Sequence, residues 1–113
     1  MSDPSIWRKY VAAMESIVGG DIRGRSRKRE MTVGRAFVAY QLRLDGWTLK
    51  KIGLVINRDH ATVMNAIGLA KMCVRGSVYG CKNAPEIWSK FQIKINENEK
   101  NQRIDPALVV FPH

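Results

Sequence analysis

Two short apolar patterns separated by three polar residues constrain the fold of this chain more than any other feature. In "TLKKIGLVI", residues 48–56, apolar residues recur at intervals of three and four, which is typical of one face of an α-helix. A helix this short is not stable alone and must pack against its neighbours. Asn57-Arg58-Asp59 interrupt this pattern. A second helical pattern begins at Asp59 or His60 and continues to about Cys73. Two such helices joined by a tight turn predict a helix-turn-helix.

Local residues favour the same turn. Thr48 suits the N-cap of the first helix, and Asn57 tolerates left-handed backbone. Gly53 has no side chain, so we expect the two helices to approach closely there. Asp59 suits the N-cap of the second helix, where its carboxylate would accept hydrogen bonds from amides such as that of Thr62.

Three further helices are predicted around this motif. The first has Ser2 or Asp3 as its N-cap and Pro4 at its first position, and it ends at Gly19-Gly20. The second runs from about Glu30 to Asp45-Gly46, where Gly46 suits a left-handed C-terminal cap. The last covers residues 85–100, and an apolar stretch at 108–111 is expected to pack as an extended segment.

Residues 1–113 are therefore predicted to form a single all-α domain of about five helices that contains a helix-turn-helix. The chain shows no strand-rich stretch and no internal repeat. Five aromatic residues lie on apolar helical faces and are expected in the core rather than as base-stacking surfaces. They are Trp7, Phe37, Tyr40, Trp88 and Phe91.

Positive charge is concentrated in one part of the chain. The formal net charge is +9, and residues 20–60 hold ten Lys or Arg against four Asp or Glu. Five of these basic residues fall within residues 23–29; we call residues 21–29 the basic loop. Such a concentration is typical of a protein with a polyanionic partner, although a solvated basic face or a nuclear import signal has the same composition. The position of the loop before a helix-turn-helix favours contact with DNA.

Other classes of function find little support in the residues. Asp59 and His60 are adjacent, so on a helix their side chains point about 100° apart and do not form an acid–base pair. A structural zinc site needs four ligands, whereas Cys73 and Cys81 have no partners at metal-ligand spacing and are expected to be thiols. We therefore expect the protein to have no enzymatic activity and to bind neither a cofactor nor a metal ion.

Nucleotide and membrane binding are not expected either. The chain contains no GxxxxGK pattern followed by Ser or Thr, so it is not a P-loop ATPase in its own right. No apolar run is long enough to cross a bilayer, and the N-terminus lacks the features of a signal peptide. We expect a cytoplasmic protein associated with the nucleoid.

Polar residues at the start of the second helix of the motif have the chemistry of base recognition. That part of a helix-turn-helix enters the major groove. Arg58 can donate two hydrogen bonds to guanine, and Asn65 can make a bidentate contact to adenine. His60 and Thr62 can reach base edges or phosphates.

The order of these segments resembles a known family. "DIRGRSRKRE", a helix, "TLKKIG" and "NRDHATVMNAI" are similar to the C-terminal DNA-binding domain of the bacterial replication initiator DnaA. That family shows a basic loop of the form Ser-Lys-x-Arg-x-Arg, then "SLPEIG"-like residues and "GGRDHTTVLHA". The resemblance is strongest over residues 20–73, and residues 74–113 form a C-terminal extension.

The resemblance implies roles where positions match. Arg27 falls where the family inserts an arginine into the minor groove, and Arg35 matches a helix arginine that supports DNA binding. Arg58, Asp59, His60 and Thr62 match the major-groove signature. Together with charge and position, this gives the candidate DNA-binding residues Arg25, Arg27, Lys28, Arg29, Arg35, Lys50, Lys51, Arg58, Asp59, His60, Ala61, Thr62 and Asn65.

The expected function is sequence-preferring binding of double-stranded DNA without ATPase activity, in an accessory replication or regulatory role.

The sequence departs from the family pattern in three ways. Ala61 replaces a hydroxyl residue of the family, and Ile56-Asn57 replaces the usual Gly-Gly. The ATPase and oligomerisation regions of the initiator are absent from this sequence. A protein interaction module that keeps the scaffold but has lost specific DNA reading is therefore the alternative. Residues 74–113 are candidates for self-association or a protein partner. The sequence leaves open the target site, the oligomeric state and the pairing of Cys73 with Cys81.

Overall fold

Five α-helices account for most of the chain that the computed structural model describes, which comprises residues 5–25, 28–75 and 83–102, with side chains described as far as residue 96. They are α1 (Ile6–Val18), α2 (Arg29–Leu44), α3 (Leu49–Ile56), α4 (His60–Arg75) and α5 (Ala84–Gln102). No strand occurs in these ranges. The all-α prediction is confirmed. Cys73 is buried, but Cys81 and the apolar stretch 108–111 lie outside the described residues.

Helix α2 lies at the centre of the domain and contacts each of the other four helices. A helix that buries residues on all its faces must be surrounded by other elements. Nine residues of α2 are buried, and they point in every direction around its axis: Met31, Val33, Gly34, Arg35, Ala36, Phe37, Val38, Ala39 and Leu42. The remaining helices therefore take their positions from α2.

Aromatic side chains join α1, α2 and α5 on one side of this centre. The ring of Trp88 lies 5.1 Å from that of Phe37, 5.5 Å from that of Tyr40 and 5.9 Å from that of Phe91, measured between ring centroids. Tyr10 meets Phe91 edge-on at 5.9 Å. These distances suit attractive aromatic pairs. The predicted core role is confirmed for Phe37 and Phe91, while Trp7, Tyr40 and Trp88 are partly buried and pack against the core.

The predicted helix ends are partly correct. Helix α1 begins at Ile6 after Ser5, and the predicted first position Pro4 and the predicted caps Ser2 and Asp3 lie outside the described residues. At the end of α2, Gly46 has a φ of +95°, as expected of a left-handed cap. Its amide donates to the carbonyl of Arg43, and the amide of Trp47 donates to that of Leu42. This pair of bonds is a Schellman motif, which satisfies carbonyls at the helix end.

The turn between α3 and α4 is built as the sequence predicted. The hydroxyl of Thr48 accepts a hydrogen bond from the amide of Lys51 at 3.2 Å, and Asn57 is left-handed with a φ of +59°. A Cβ atom on Gly53 would lie only 2.6 Å from the carbonyl oxygen of Arg58. The predicted close approach at Gly53 is therefore confirmed, and the group that lies against Gly53 is the backbone of the turn. It allows the amide of Arg58 to donate to the carbonyl of Gly53 at 2.9 Å.

Replacing Gly53 with alanine should therefore destabilise the fold, because the new methyl group would push against a backbone carbonyl that cannot move aside freely. We expect the free energy of unfolding to fall by about 1–3 kcal/mol. Gly68 is the matched control, since it lies inside α4 with nothing within 4 Å of the position that a methyl group would take. Gly68→Ala should stabilise by about 0.5–1 kcal/mol. Chemical denaturation of both variants measures this, and equal effects at the two positions would contradict the close contact at Gly53.

Candidate nucleic-acid interface

The first turns of α4 present polar side chains to solvent. Val63, Ile67 and Ala70 of this helix are buried, which fixes the orientation of the helix on the core. Ala61, Thr62 and Asn65 are exposed on the opposite face, and His60 is exposed at the first position of the helix. This surface has the shape and chemistry of a helix that can enter a groove.

Asp59 caps α4. Its carboxylate accepts a hydrogen bond from the amide of Thr62 at 2.8 Å, in agreement with the cap that the sequence predicted. Bonds from the hydroxyl and then the amide of Thr62 hold the pKa of Asp59 below its usual value. The carboxylate is fully exposed, so it stays ionised at the positive end of the helix dipole while remaining accessible. Capping and contact with a ligand are compatible at this position.

Arg58 joins the turn to the basic loop. Its Nη1 donates to the carbonyls of Ile56 and Asn57 at 3.2 and 2.8 Å, and its Nη2 donates to the carbonyl of Gly24 at 2.7 Å. Three of the five N–H donors of a guanidinium are thereby engaged with backbone. The residue is half-buried. The sequence predicted Arg58 as a base-reading residue and gave no indication of this internal role.

Arg35 supports the same loop from inside the domain. It is buried in α2, with Nε donating to the carbonyl of Ile22 at 2.7 Å and Nη2 to that of Gly24 at 3.4 Å. Burial lowers the pKa of Arg35, the nearby charge of Arg58 lowers it further, and Asp21 opposes both. In this arrangement the side chain does not reach the surface, so Arg35 positions the loop rather than contacting a ligand directly.

Arg23 is a site residue that sequence reasoning missed. Its Nε donates to the carbonyl of Val55 at 2.6 Å, and its guanidinium lies 5.0 Å from the ring centroid of Trp7. Nothing in the sequence distinguishes Arg23 from its basic neighbours, because its partners belong to α1 and α3. The partner carbonyl is 32 positions away along the chain.

The other basic candidates surround the start of α4 less tightly. Arg25, Lys28 and Arg29 are exposed along the basic loop, while Arg27 lies outside the described residues. Lys50 and Lys51 are exposed in the first turn of α3.

An open pocket of about 530 Å³ lies between α1, the residues before α3 and α3 itself. Arg23, Lys51 and Trp47 are among the residues that line it. The pocket thus brings a cation of the basic loop and a cation of α3 to one surface, together with the carboxylate of Asp45.

Glu15 anchors the base of the basic loop. Its Oε2 accepts a hydrogen bond from the amide of Ile22 at 3.1 Å. Burial raises the pKa of Glu15; the amide of Ile22 and the charge of Arg23 lower it, whereas Asp21 raises it, and the net shift is upward. A carboxyl group whose pKa is higher in the folded than in the unfolded state opposes folding once it is ionised.

The contribution of Glu15 to stability should therefore fall as pH rises from about 4.5, the ordinary value for this carboxyl, through its raised pKa. Glu15→Gln keeps an acceptor for the amide of Ile22 and removes the ionisation. We expect the free energy of unfolding of Glu15→Gln to decline less than that of the wild type between pH 4 and about pH 7. Glu30→Gln, the same change of charge at an exposed position of α2, is the control. Parallel pH profiles for the wild type and Glu15→Gln would refute the raised pKa.

The described residues hold neither a candidate metal cluster nor a candidate membrane-spanning helix. No group of three or more His, Cys, Asp or Glu side chains within them could hold a metal ion. None of the helices that the structure describes is both long and apolar enough to cross a membrane.

Comparison with known proteins agrees with the geometry. Residues 8–68 match the family model described as the bacterial dnaA protein helix-turn-helix. This range begins before residue 20 and so adds most of α1 to the resemblance, and it ends at residue 68. The chain is also similar to the chromosomal replication initiator protein DnaA of Chlorobaculum tepidum, with 32% identity over 87 residues. That alignment covers 75% of this chain but 18% of the relative. No solved structure matches the chain significantly.

Proposed function

This chain belongs to the family of the bacterial DnaA helix-turn-helix, and on this premise we propose that it binds double-stranded DNA with a preference for particular base sequences. Membership of a DNA-binding family that is not catalytic supports DNA binding as its activity. The observation that carries the proposal is the hydrogen bond between Arg58 and the carbonyl of Gly24, which holds the basic loop beside the exposed start of α4. Charge and base-reading groups therefore lie on one continuous surface.

We assign the attraction to phosphates to the exposed cations. Arg25, Lys28 and Arg29 lie on the basic loop, and Lys50 and Lys51 lie at the start of α3. Contacts of this kind position a protein on DNA and make binding depend on salt, but they carry no sequence information. The resemblance adds Arg27 as a residue for the minor groove, where an arginine is favoured by the strong negative potential of A/T-rich DNA.

We assign base reading to the exposed face of α4. His60, Thr62 and Asn65 offer hydrogen-bonding groups, and Ala61 can contact a thymine methyl group. Thr62 already bonds to Asp59, so its hydroxyl is held in a fixed place on the surface. Arg58 and Arg35 contribute by fixing the loop, and a base contact by Arg58 would use the donors that the backbone carbonyls leave over.

The proposal includes no step that uses ATP, because this sequence contains no P-loop pattern. The matched relative is much longer than this chain. We therefore propose an accessory role in replication or regulation for this chain, and we place it at the nucleoid in the cytoplasm.

The protein should bind duplex DNA with an affinity that falls steeply as salt rises. If it neutralises about six phosphates, the log–log slope against salt concentration should be about −5. Selection from a random duplex pool should enrich a site that binds more tightly than its scrambled version. Binding that is absent at low salt on every duplex would contradict the proposal and favour a protein interaction module on the same scaffold.

Variants should separate base reading from phosphate attraction. Asn65→Ala should weaken binding to the selected duplex by about 1–3 kcal/mol, while binding to the scrambled duplex changes little. Lys50→Ala should weaken binding to both duplexes about equally and reduce the salt slope by about one. Paired titrations at several salt concentrations measure both effects. If Asn65→Ala retained the full preference, base reading would have to lie elsewhere than on this face of α4.

Arg58→Ala should lower both sequence preference and stability. The loss leaves the carbonyls of Gly24 and Ile56 without these donors, so we expect the free energy of unfolding to fall by about 1–3 kcal/mol. Arg27→Ala is the second variant, and the resemblance predicts that it also reduces the preference for the selected duplex. Circular dichroism in denaturant together with DNA titration gives both quantities for each variant. A stable Arg58→Ala with full preference would show that the bond to Gly24 does not matter for recognition.

A further inference from the structure

Trp7 on α1 lies far in sequence from the helix-turn-helix, yet it is linked to it by an arginine of the basic loop. The guanidinium of Arg23 lies 5.0 Å and that of Arg8 lies 5.3 Å from the centroid of the Trp7 ring. Both distances are within the range of a cation–π interaction, for which tryptophan is the most favourable ring. Of these two arginines, Arg23 belongs to the basic loop, so it connects this ring to the proposed DNA-binding surface.

Arg23 is also held at its other side. Its Nε donates to the carbonyl of Val55 at 2.6 Å, in the last turn of α3, where helical carbonyls have no partner within the helix. The amide of Arg23 donates to the carboxylate of Asp21 at 2.9 Å. Ring, carbonyl and carboxylate together restrict both the backbone and the side chain of this residue.

The next residue is fixed independently. The carbonyl of Gly24 accepts from Arg58 and from Arg35. Two consecutive loop residues are therefore attached to opposite sides of the same turn: Arg23 to the end of α3, and Gly24 to the residue before the α4 cap. These attachments fix the loop at residues 23 and 24, immediately before Arg25.

We propose that Arg23, held between the Trp7 ring and the Val55 carbonyl, is the positioning residue that sets the basic loop against α4, and that Trp7 thereby brings α1 into sequence recognition. This inference rests on the proposed function. A fixed loop can contact the minor groove while α4 occupies the major groove. A loop without this attachment still attracts phosphates, but it must be ordered on binding, which costs free energy on the specific site alone.

Variants that break this attachment should lose sequence preference, while their binding to scrambled duplex and their dependence on salt stay unchanged. Trp7→Leu removes no charge, so its binding to scrambled duplex and its salt slope should match the wild type, while its preference for the selected duplex falls about 10-fold, equivalent to about 1.4 kcal/mol. Arg23→Lys also keeps the charge. Its single ammonium group cannot donate to Val55 in the planar geometry of a guanidinium lying over the ring, so we expect a similar loss.

Two controls separate positioning of the loop from a loss of charge at the ring and from a loss of stability. Arg8→Gln removes a cation from the same ring without touching the loop, and it should keep the full preference. Ile87→Val lowers stability through a buried residue of α5 and should also keep the preference, provided that circular dichroism shows each variant folded at the temperature of titration.

The experiment is a paired titration of the 113-residue chain and these four variants with selected and scrambled duplexes at several salt concentrations. Loss of preference in Trp7→Leu and Arg23→Lys, with both controls unchanged, supports the proposal. Full preference in folded Arg23→Lys overturns it, because charge alone would then explain Arg23. A wild-type chain with no preference overturns the proposed function itself, and this inference with it.

Discussion

The carbonyl oxygens at the C-terminal end of α3 are the constraint on which the rest of the site depends. A helix leaves its last carbonyls without partners, and burying them unsatisfied is costly. Here arginine side chains supply the donors: Arg23 to Val55, and Arg58 to Ile56 and Asn57. Because Arg58 also donates to Gly24, the same interaction that completes α3 attaches the basic loop. A lysine could not do this, since only a planar guanidinium presents several donors in fixed directions.

This arrangement concentrates like charges, and the protein contains groups that offset the repulsion. Arg35 and Arg58 both approach the carbonyl of Gly24, and the charge of Arg58 helps to lower the pKa of Arg35. The carboxylate of Asp21 acts in the opposite direction on the same guanidinium. Backbone carbonyls and one carboxylate thus hold two cations close together. A polyanion approaching this surface would meet a positive potential that the fold has already assembled.

Sequence reasoning succeeded where interactions are local. Thr48, Asn57 and Asp59 were correctly assigned to helix ends because each acts on backbone within four positions of itself. The five helices followed from apolar spacing in the same way. It did not predict the internal hydrogen bonds of the arginines, whose partners lie 13, 32 and 34 positions away and are backbone carbonyls of no particular residue type. No side-chain pattern marks such a carbonyl, so Arg35 was predicted only as a helix arginine that supports DNA binding, and Arg58 only as a residue that reads bases.

The exposed face of α4 also bears on how such proteins diverge. His60, Ala61 and Asn65 project outward while Val63 and Ile67 hold the helix on the core. Substitutions at exposed positions away from caps and buried contacts usually change stability by less than about 0.5 kcal/mol. Evolution can therefore replace the outward side chains one by one without first acquiring compensating mutations in the interior. If these side chains read bases as proposed, a gene duplicate could acquire a new DNA target while Gly53 and Arg58 preserve the turn, and its descendants would share a scaffold but bind different sites.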